Sequence, residues 1–269
     1  MATISLPNQH SSHYAQAYKW RSTFYYEAIL RVLLILFVSF VASAQTTKIS
    51  YGLSPSKRVQ FEKTEWAVRI VSIEREPTRP TVSWWLQTNF ANRKENYVEI
   101  GMQPFDSLYN GKAAFLTFNG PGVMAVSGNC KMATEDGEGV SCSVAYDWDP
   151  GVPYKLTFEQ NNTTTKTDFK RWIATIVNGQ TGATTQIGEV DIPQSWGGLS
   201  PTSACYAKWN GTQGTPPCNK NSPFEIVSTA PVGFIKGQQT PSKFIGHSEK
   251  SPCIEFNVMD EYTVSLKEK

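Results

Sequence analysis

The sequence predicts an all-β protein, an antiparallel β-sandwich or barrel with no substantial helix past residue 45. Three observations predict it. Apolar and polar residues alternate at period two through most of the chain, as in Trp66, Val68 and Ile70. Turn chemistry separates these segments at Arg79-Pro80, Asn119-Gly120-Pro121-Gly122, Asp149-Pro150-Gly151, Asn178-Gly179 and Gly197-Gly198. Helical periodicity is almost absent, and 16 prolines and 19 glycines suit many tight turns. Short strands at regular spacing are the mark of a sandwich or barrel.

Taken in order, the elements begin with a leader. Arg31 precedes an apolar run from Val32 to about Ala42, and the small-residue pattern Ala42-Ser43-Ala44 follows. This is the layout of a secretory signal peptide over residues 1–44, cleaved between Ala44 and Gln45, with a signal anchor as the alternative. The run is shorter than the roughly 20 apolar residues of a membrane span. The rest, residues 45–269, reads as a single β-sandwich domain, secreted to the extracellular space. Strands are predicted at 66–73, 81–88, 96–103, 113–118, 141–147, 154–160, 170–177, 184–190, 203–209, 224–228, 232–236, 254–258 and 261–266. Over 97–103, Val98, Ile100 and Met102 take one face, and Tyr97, Glu99, Gly101 and Gln103 the other. Over 203–209, Tyr206 and Lys208 lie opposite Cys205, Ala207 and Trp209. Trp84 and Trp85 are adjacent, so a regular strand sends them to opposite faces. Apolar residues alternate again through Cys142, Val144, Tyr146 and Trp148, then Tyr154, Leu156 and Phe158, about a turn at 149–151.

Charge and cysteine content narrow the function classes. Lys19, Arg21, Arg31 and Glu27 fall in the leader, so the rest carries 22 basic and 22 acidic residues. A neutral chain without polybasic runs is a poor partner for nucleic acid, and membrane insertion of the mature chain is not expected. The five cysteines, at 130, 142, 205, 218 and 253, all follow the leader and read as disulfides. Cys130 and Cys142 sit symmetrically about Asp136-Gly137, where a hairpin would bring them face to face. Cys205 and Cys218 bracket a Gly/Pro-rich loop and are the second expected pair, which leaves Cys253 unpaired.

Order and spacing also carry a resemblance. The turn Glu138-Gly139, the series Tyr146, Trp148, Gly151 and Tyr154, and the strand at Trp172 are its first features. The Thr-Gly turn at 181–185, the Trp-Gly-Gly corner at 196–198 and the strand ending at Gln103 complete it. Over roughly residues 82–233 the chain resembles secreted proteins grouped as domain of unknown function 3472. The resemblance implies an exported, concanavalin-like, jelly-roll sandwich and brings no settled activity. Trp148 and Tyr154 flank a tight turn on the apolar face and read as architecture.

Catalytic constellations are scarce. His10 and His13 lie in the leader, which leaves His247, in the loop-like stretch FIGHSEKSPC. One histidine is too few for a His-rich zinc site, and no phosphate-cradling loop or nucleophile elbow is present. No cofactor is expected, although loop carboxylates at Glu135, Asp136 and Glu138 leave a structural calcium open. The stretch CYAKWNGTQ resembles the Tyr-x-Lys strand of alginate-lyase sandwiches without their Arg-Ser-Glu-x-Arg and Gln-x-His strands. Sequons stand at Asn161, Asn162 and Asn210.

The expectation is a secreted, non-catalytic β-sandwich that binds carbohydrate, on a polysaccharide or a glycoprotein. The predicted contact residues are Trp84, Tyr97, Glu99, Gln103, Tyr206 and Lys208, because a sugar ring suits an aromatic face and its hydroxyls suit amides and charges. A polysaccharide lyase or glycosidase using Tyr206 with Lys208, or the carboxylates at 135–138, is one alternative. A self-associating component of an extracellular matrix, appendage or coat is the other.

Overall fold

The period-two segments do form strands. A computed structural model of the chain describes residues 46–52, 59–74, 81–132, 138–161, 163, 166–210, 223–248 and 253–268. The expected leader, Cys218 and residues 133–137 lie outside the described residues. The strands, numbered in chain order, are β1 (Thr46–Gly52), β2 (Lys63–Ile73), β3 (Thr81–Phe90), β4 (Arg93–Asp106), β5 (Gly111–Asn119) and β6 (Met124–Ala125). Then come β7 (Cys130–Met132), β8 (Val140–Ala145), β9 (Pro153–Asn161), β10 (Phe169–Asn178), β11 (Thr184–Pro193) and β12 (Leu199–Asn210). The last are β13 (Phe224–Thr229), β14 (Val232–Ile235), β15 (Gln238–Pro241), β16 (Lys243–Ser248), β17 (Ile254–Val258) and β18 (Thr263–Glu268).

Two antiparallel sheets pack face to face as a sandwich. The first, of 8 strands, runs β16-β1-β12-β3-β4-β5-β8-β7. The second, of 10, runs β17-β18-β13-β2-β9-β10-β11-β6, with β14 also pairing β2. Every predicted strand is present. Five escaped prediction. β1 directly follows the expected leader, β16 carries His247 in a stretch read as loop, and β6, β7 and β15 are too short to show alternation.

Inward residues of the two sheets form one core. Trp66, Trp84, Trp148 and Trp172 are fully buried. Phe158 stacks on Trp172 with centroids 4.7 Å apart, and Phe90 meets Trp172 and Trp196 edge-on at 6.0 and 5.0 Å. Such pairs add about 0.5–1.5 kcal/mol each beyond burial. The turn after β8 belongs to this core. Trp148 meets Trp84 edge-on at 5.7 Å, and the Tyr154 hydroxyl accepts the Asp149 N–H at 2.7 Å. Gly151 turns there at φ 84° and donates its N–H to Ile70 O, tying the turn to β2. These aromatics are architecture, as the spacing predicts.

Cys130 and Cys142 are register partners on β7 and β8 and are joined by a disulfide. The bond faces the opposite sheet, so close to Gly188 of β11 that a Cβ there would stand 2.5 Å from Cys142 Sγ. The expected bridge from Cys205 to Cys218 is not formed. Cys205 is a free thiol, 2% exposed, and Cys253 is disulfide-bonded. The reason is strand parity. Cys205 shares the inward face of β12 with Ala207, where it meets the Ser228 hydroxyl at 3.7 Å. Ser228 in turn accepts the Trp66 indole N–H at 2.7 Å, and Tyr51 of β1 stands beside the thiol. This small polar cluster lies between the sheets, and burial pushes the thiol up to about 12.

Candidate functional site

The outer face of the eight-stranded sheet carries most of the polar and aromatic residues singled out by sequence. Outward residues sit at alternate positions, and the ladder sets which of them are neighbours. Across one level the register runs Lys48, Tyr206, Trp85, Gly101, Phe115 and Ser143. Across the next it runs Ser50, Ala204, Gln87, Glu99, Thr117 and Ser141. Tyr97, Glu99 and Gln103 on β4 therefore share a face with Tyr206 and Lys208 on β12, with β3 between them.

The first level is a row of rings. Trp85 and Tyr206 stack with centroids 5.4 Å apart and planes 12° off parallel. The Lys48 ammonium stands 5.7 Å from the Tyr206 centroid. Beyond Trp85, the tip of the Phe115 ring leans over Gly101, where a Cβ would lie 2.8 Å from it. A glycine is needed at 101 for this, since a Cβ would also meet the Trp84 carbonyl oxygen at 2.4 Å and Trp85 Cβ at 2.5 Å.

The second level is hollow where the first is full. Ala204, a small residue, is flanked by longer side chains, and a depression of ≈ 180 Å³ opens there. Lys48 and Ser50 of β1, Gln87 and Asn89 of β3, and Thr202 and Tyr206 of β12 line it. At roughly 30 Å³ per water, that volume corresponds to about six waters, near the size of one sugar ring. Asn89 Nδ2 is held by the Lys94 carbonyl, which fixes the amide plane.

Glu99 lies beside Gln87, opposite it in register. Its Oε1 accepts the Trp85 indole N–H at 3.0 Å. Burial raises its carboxyl above the usual carboxylate range, partly offset by that indole and by Lys208. Tyr97 is also raised, by burial first and then by Glu99, while its hydroxyl accepts from Asn119 Nδ2 at 3.1 Å.

Two of the six predicted contact residues do other work. Trp84 is 1% exposed and packs in the core, because Val82, Trp84 and Leu86 form the inward set of β3. Trp85, its neighbour, is the outward tryptophan. Gln103 is on the predicted face, but its amide donates to Asp106 Oδ2 at 2.6 Å and so helps close the β4–β5 turn. Sequence reasoning missed Lys48, Ser50, Gln87, Asn89, Thr202 and Ala204. Alternation along 81–88 was a usable signal for Trp85 and Gln87, and so was the alternation of Lys48, Ile49, Ser50 and Tyr51 along β1. Of the sequons, Asn161 ends β9 opposite Arg171, Asn162 lies outside the described residues, and Asn210 ends β12. His247 stacks on Phe256 at 4.6 Å, a packing role on β16. Among the described residues no three metal-ligating side chains stand together, and no helix is long and apolar enough to cross a membrane.

Fold and face together define an all-β sandwich with a decorated outer sheet. No protein-family model matches the chain, and no curated protein matches it. Solved structures match the chain at low similarity. A scytalido-glutamic peptidase with a transition-state analogue inhibitor gives a TM-score of 0.49 at 12% identity, over 84% of this chain and 99% of that one. A member of the eqolisin family of peptidases, in complex with a tripeptide, gives 0.47 at 12% identity over the same shares. A marine alginate lyase from Aplysia kurodai gives 0.29 at 6% identity, over 62% and 69%. At these values the likeness carries no argument about this chain's fold or activity.

Proposed function

We propose that the protein is a secreted, non-catalytic sandwich that binds carbohydrate, on a polysaccharide or a glycosylated surface, through the depression over Ala204. One observation carries this: an aromatic wall, two amides, two hydroxyls and an ammonium converge on a hollow the size of one sugar ring. Tyr206 offers an apolar surface, and Gln87, Asn89, Ser50 and Thr202 offer hydrogen bonds to hydroxyls. The disulfide between Cys130 and Cys142 supports an oxidising, extracellular setting. The resemblance to the exported family of unknown function belongs to the same proposal. One weakly enclosed subsite gives millimolar to micromolar affinity, on the order of 4–8 kcal/mol.

Cleavage is a second reading, favoured by the raised carboxyl of Glu99. Hydrolysis would need a second acid about 5–9 Å away.

The test is a glycan array probed with wild type and with Ala204→Leu, which fills the hollow from its floor. Wild type is expected to be retained and released by free sugar, and the variant to lose retention while melting as wild type does. Equal retention by both would place binding elsewhere, and a blank from folded wild type would end the proposal. Release of reducing ends or unsaturated sugars from the retained polymer, abolished by Glu99→Gln, would turn the reading to an enzyme.

A further inference from the structure

We infer that the sugar unit taken by the depression over Ala204 is a carboxylated one, with Lys48 receiving its carboxylate; the inference rests on the carbohydrate reading above. The charge inventory of the hollow points there. Of the side chains that line it, Lys48 alone is ionic, and Ser50, Gln87, Asn89, Thr202 and Tyr206 are neutral. Among the described residues Lys48 has no carboxylate partner, and its ammonium rests instead near the Tyr206 ring at 5.7 Å. Elsewhere on the molecule cations are commonly tied up, as Lys63 is with Glu65 at 2.9 Å and Lys243 with Glu261 at 2.7 Å. The nearest acid across the sheet, Glu99, sits one strand beyond Gln87. It is bound to the Trp85 indole near Lys208, and burial raises its carboxyl, which favours the uncharged form.

A neutral sugar would use the amides and hydroxyls and leave the ammonium as it is. A sugar with a carboxylate would turn the ammonium from a ring contact into a charge-assisted hydrogen bond in the recess, the stronger of the two interactions. The geometry also explains the placement of Tyr206. One face of its ring is covered by Trp85, so a ligand approaches from the Lys48 side, and displacing the lysine from the ring delivers it to the ligand.

The purified protein is titrated with polygalacturonate, hyaluronan and a sialylated glycan, each compared with its own carboxyl methyl ester. Esterification keeps the hydroxyl pattern and removes the charge. At least one acid is expected to bind about tenfold or more tighter than its ester, with the advantage shrinking as salt rises. Lys48→Met is expected to erase the advantage, and Lys208→Met to keep it, with near-UV spectra confirming that both variants fold. Esters that bind as well as acids, or a Lys48→Met variant that keeps the preference, would overturn the inference and leave carbohydrate binding standing. Neutral glycans bound in place of acidic ones would do the same. No binding to any glycan, charged or neutral, would remove both.

Discussion

Replacing Gly101 with alanine tests the geometry of the outer face with a single methyl group. In the native fold that methyl would stand 2.4 Å from the Trp84 carbonyl oxygen, 2.5 Å from Trp85 Cβ and 2.8 Å from Phe115 Cζ. Carbon atoms prefer separations of about 3.5–4.0 Å, so relief needs a movement of roughly 1 Å. Phe115 can swing aside. The other two atoms are a backbone oxygen and a Cβ of the adjacent strand, and no rotamer moves them. Strands β3 and β4 must part locally, against ladder hydrogen bonds that hold neighbouring strands about 4.8 Å apart. The cost falls at the upper end of overpacking, about 3 kcal/mol. In a domain of this size that lowers Tm by roughly 6–12 °C. Urea unfolding followed by tryptophan fluorescence measures it, with Gly246→Ala as control, since nothing lies within 4 Å of a Cβ at that position of the same sheet. A Gly101→Ala protein as stable as Gly246→Ala would refute the close approach of Trp85 and Phe115 over β4.

Two further outcomes follow from ionisable groups. Glu99 titrates above the ordinary carboxylate value of 4.5, so the folded chain keeps a proton that the unfolded chain has lost. Its contribution to stability is therefore full below that value and is lost as pH rises through the raised pKa. Glu99→Gln keeps an oxygen for the Trp85 indole, and its stability relative to wild type should improve with rising pH across that weakly acidic window; a flat difference in parallel melts would contradict the burial of the carboxyl. Cys205, with its thiol pushed up to about 12, should resist iodoacetamide in the native protein and react once urea opens the fold. Peptide mapping checks this, and native labelling at Cys205 would contradict its place between the sheets.

How much was legible in the sequence depended on how local the signal was. Strand parity is local. It placed Val98, Ile100 and Met102 inward and Tyr97, Glu99, Tyr206 and Lys208 outward, and symmetry about a local turn, equally local, paired Cys130 with Cys142. Neighbourhood between strands is not local. β12 lies beside β3 across more than 100 residues of chain, and β1 lies beside β12 from the far end, so Lys48, Ser50 and Gln87 join the hollow only once the sheet order is known. Trp84 went astray although its own strand carried the answer, since Val82, Trp84 and Leu86 alternate with Ser83, Trp85 and Gln87. Ala204 shows a different limit. What matters there is the absence of bulk, and a missing side chain leaves no mark in composition or periodicity.

The polar cluster between the sheets has a bearing on the hollow outside. Tyr51 and Cys205 lie on the inner faces of β1 and β12, the two strands whose outer faces carry Lys48, Ser50, Ala204 and Tyr206. A slip of one residue in either strand would send Tyr206 or Lys48 into the core and bring Cys205 or Tyr51 to the surface. It would also strand the Trp66–Ser228 hydrogen bond among mismatched partners. The inner cluster thus acts as a key cut for one alignment, and only that alignment assembles the recess on the other side of the same strands. Damage to the key, such as Ser228→Ala, would blur binding at a site the residue never touches.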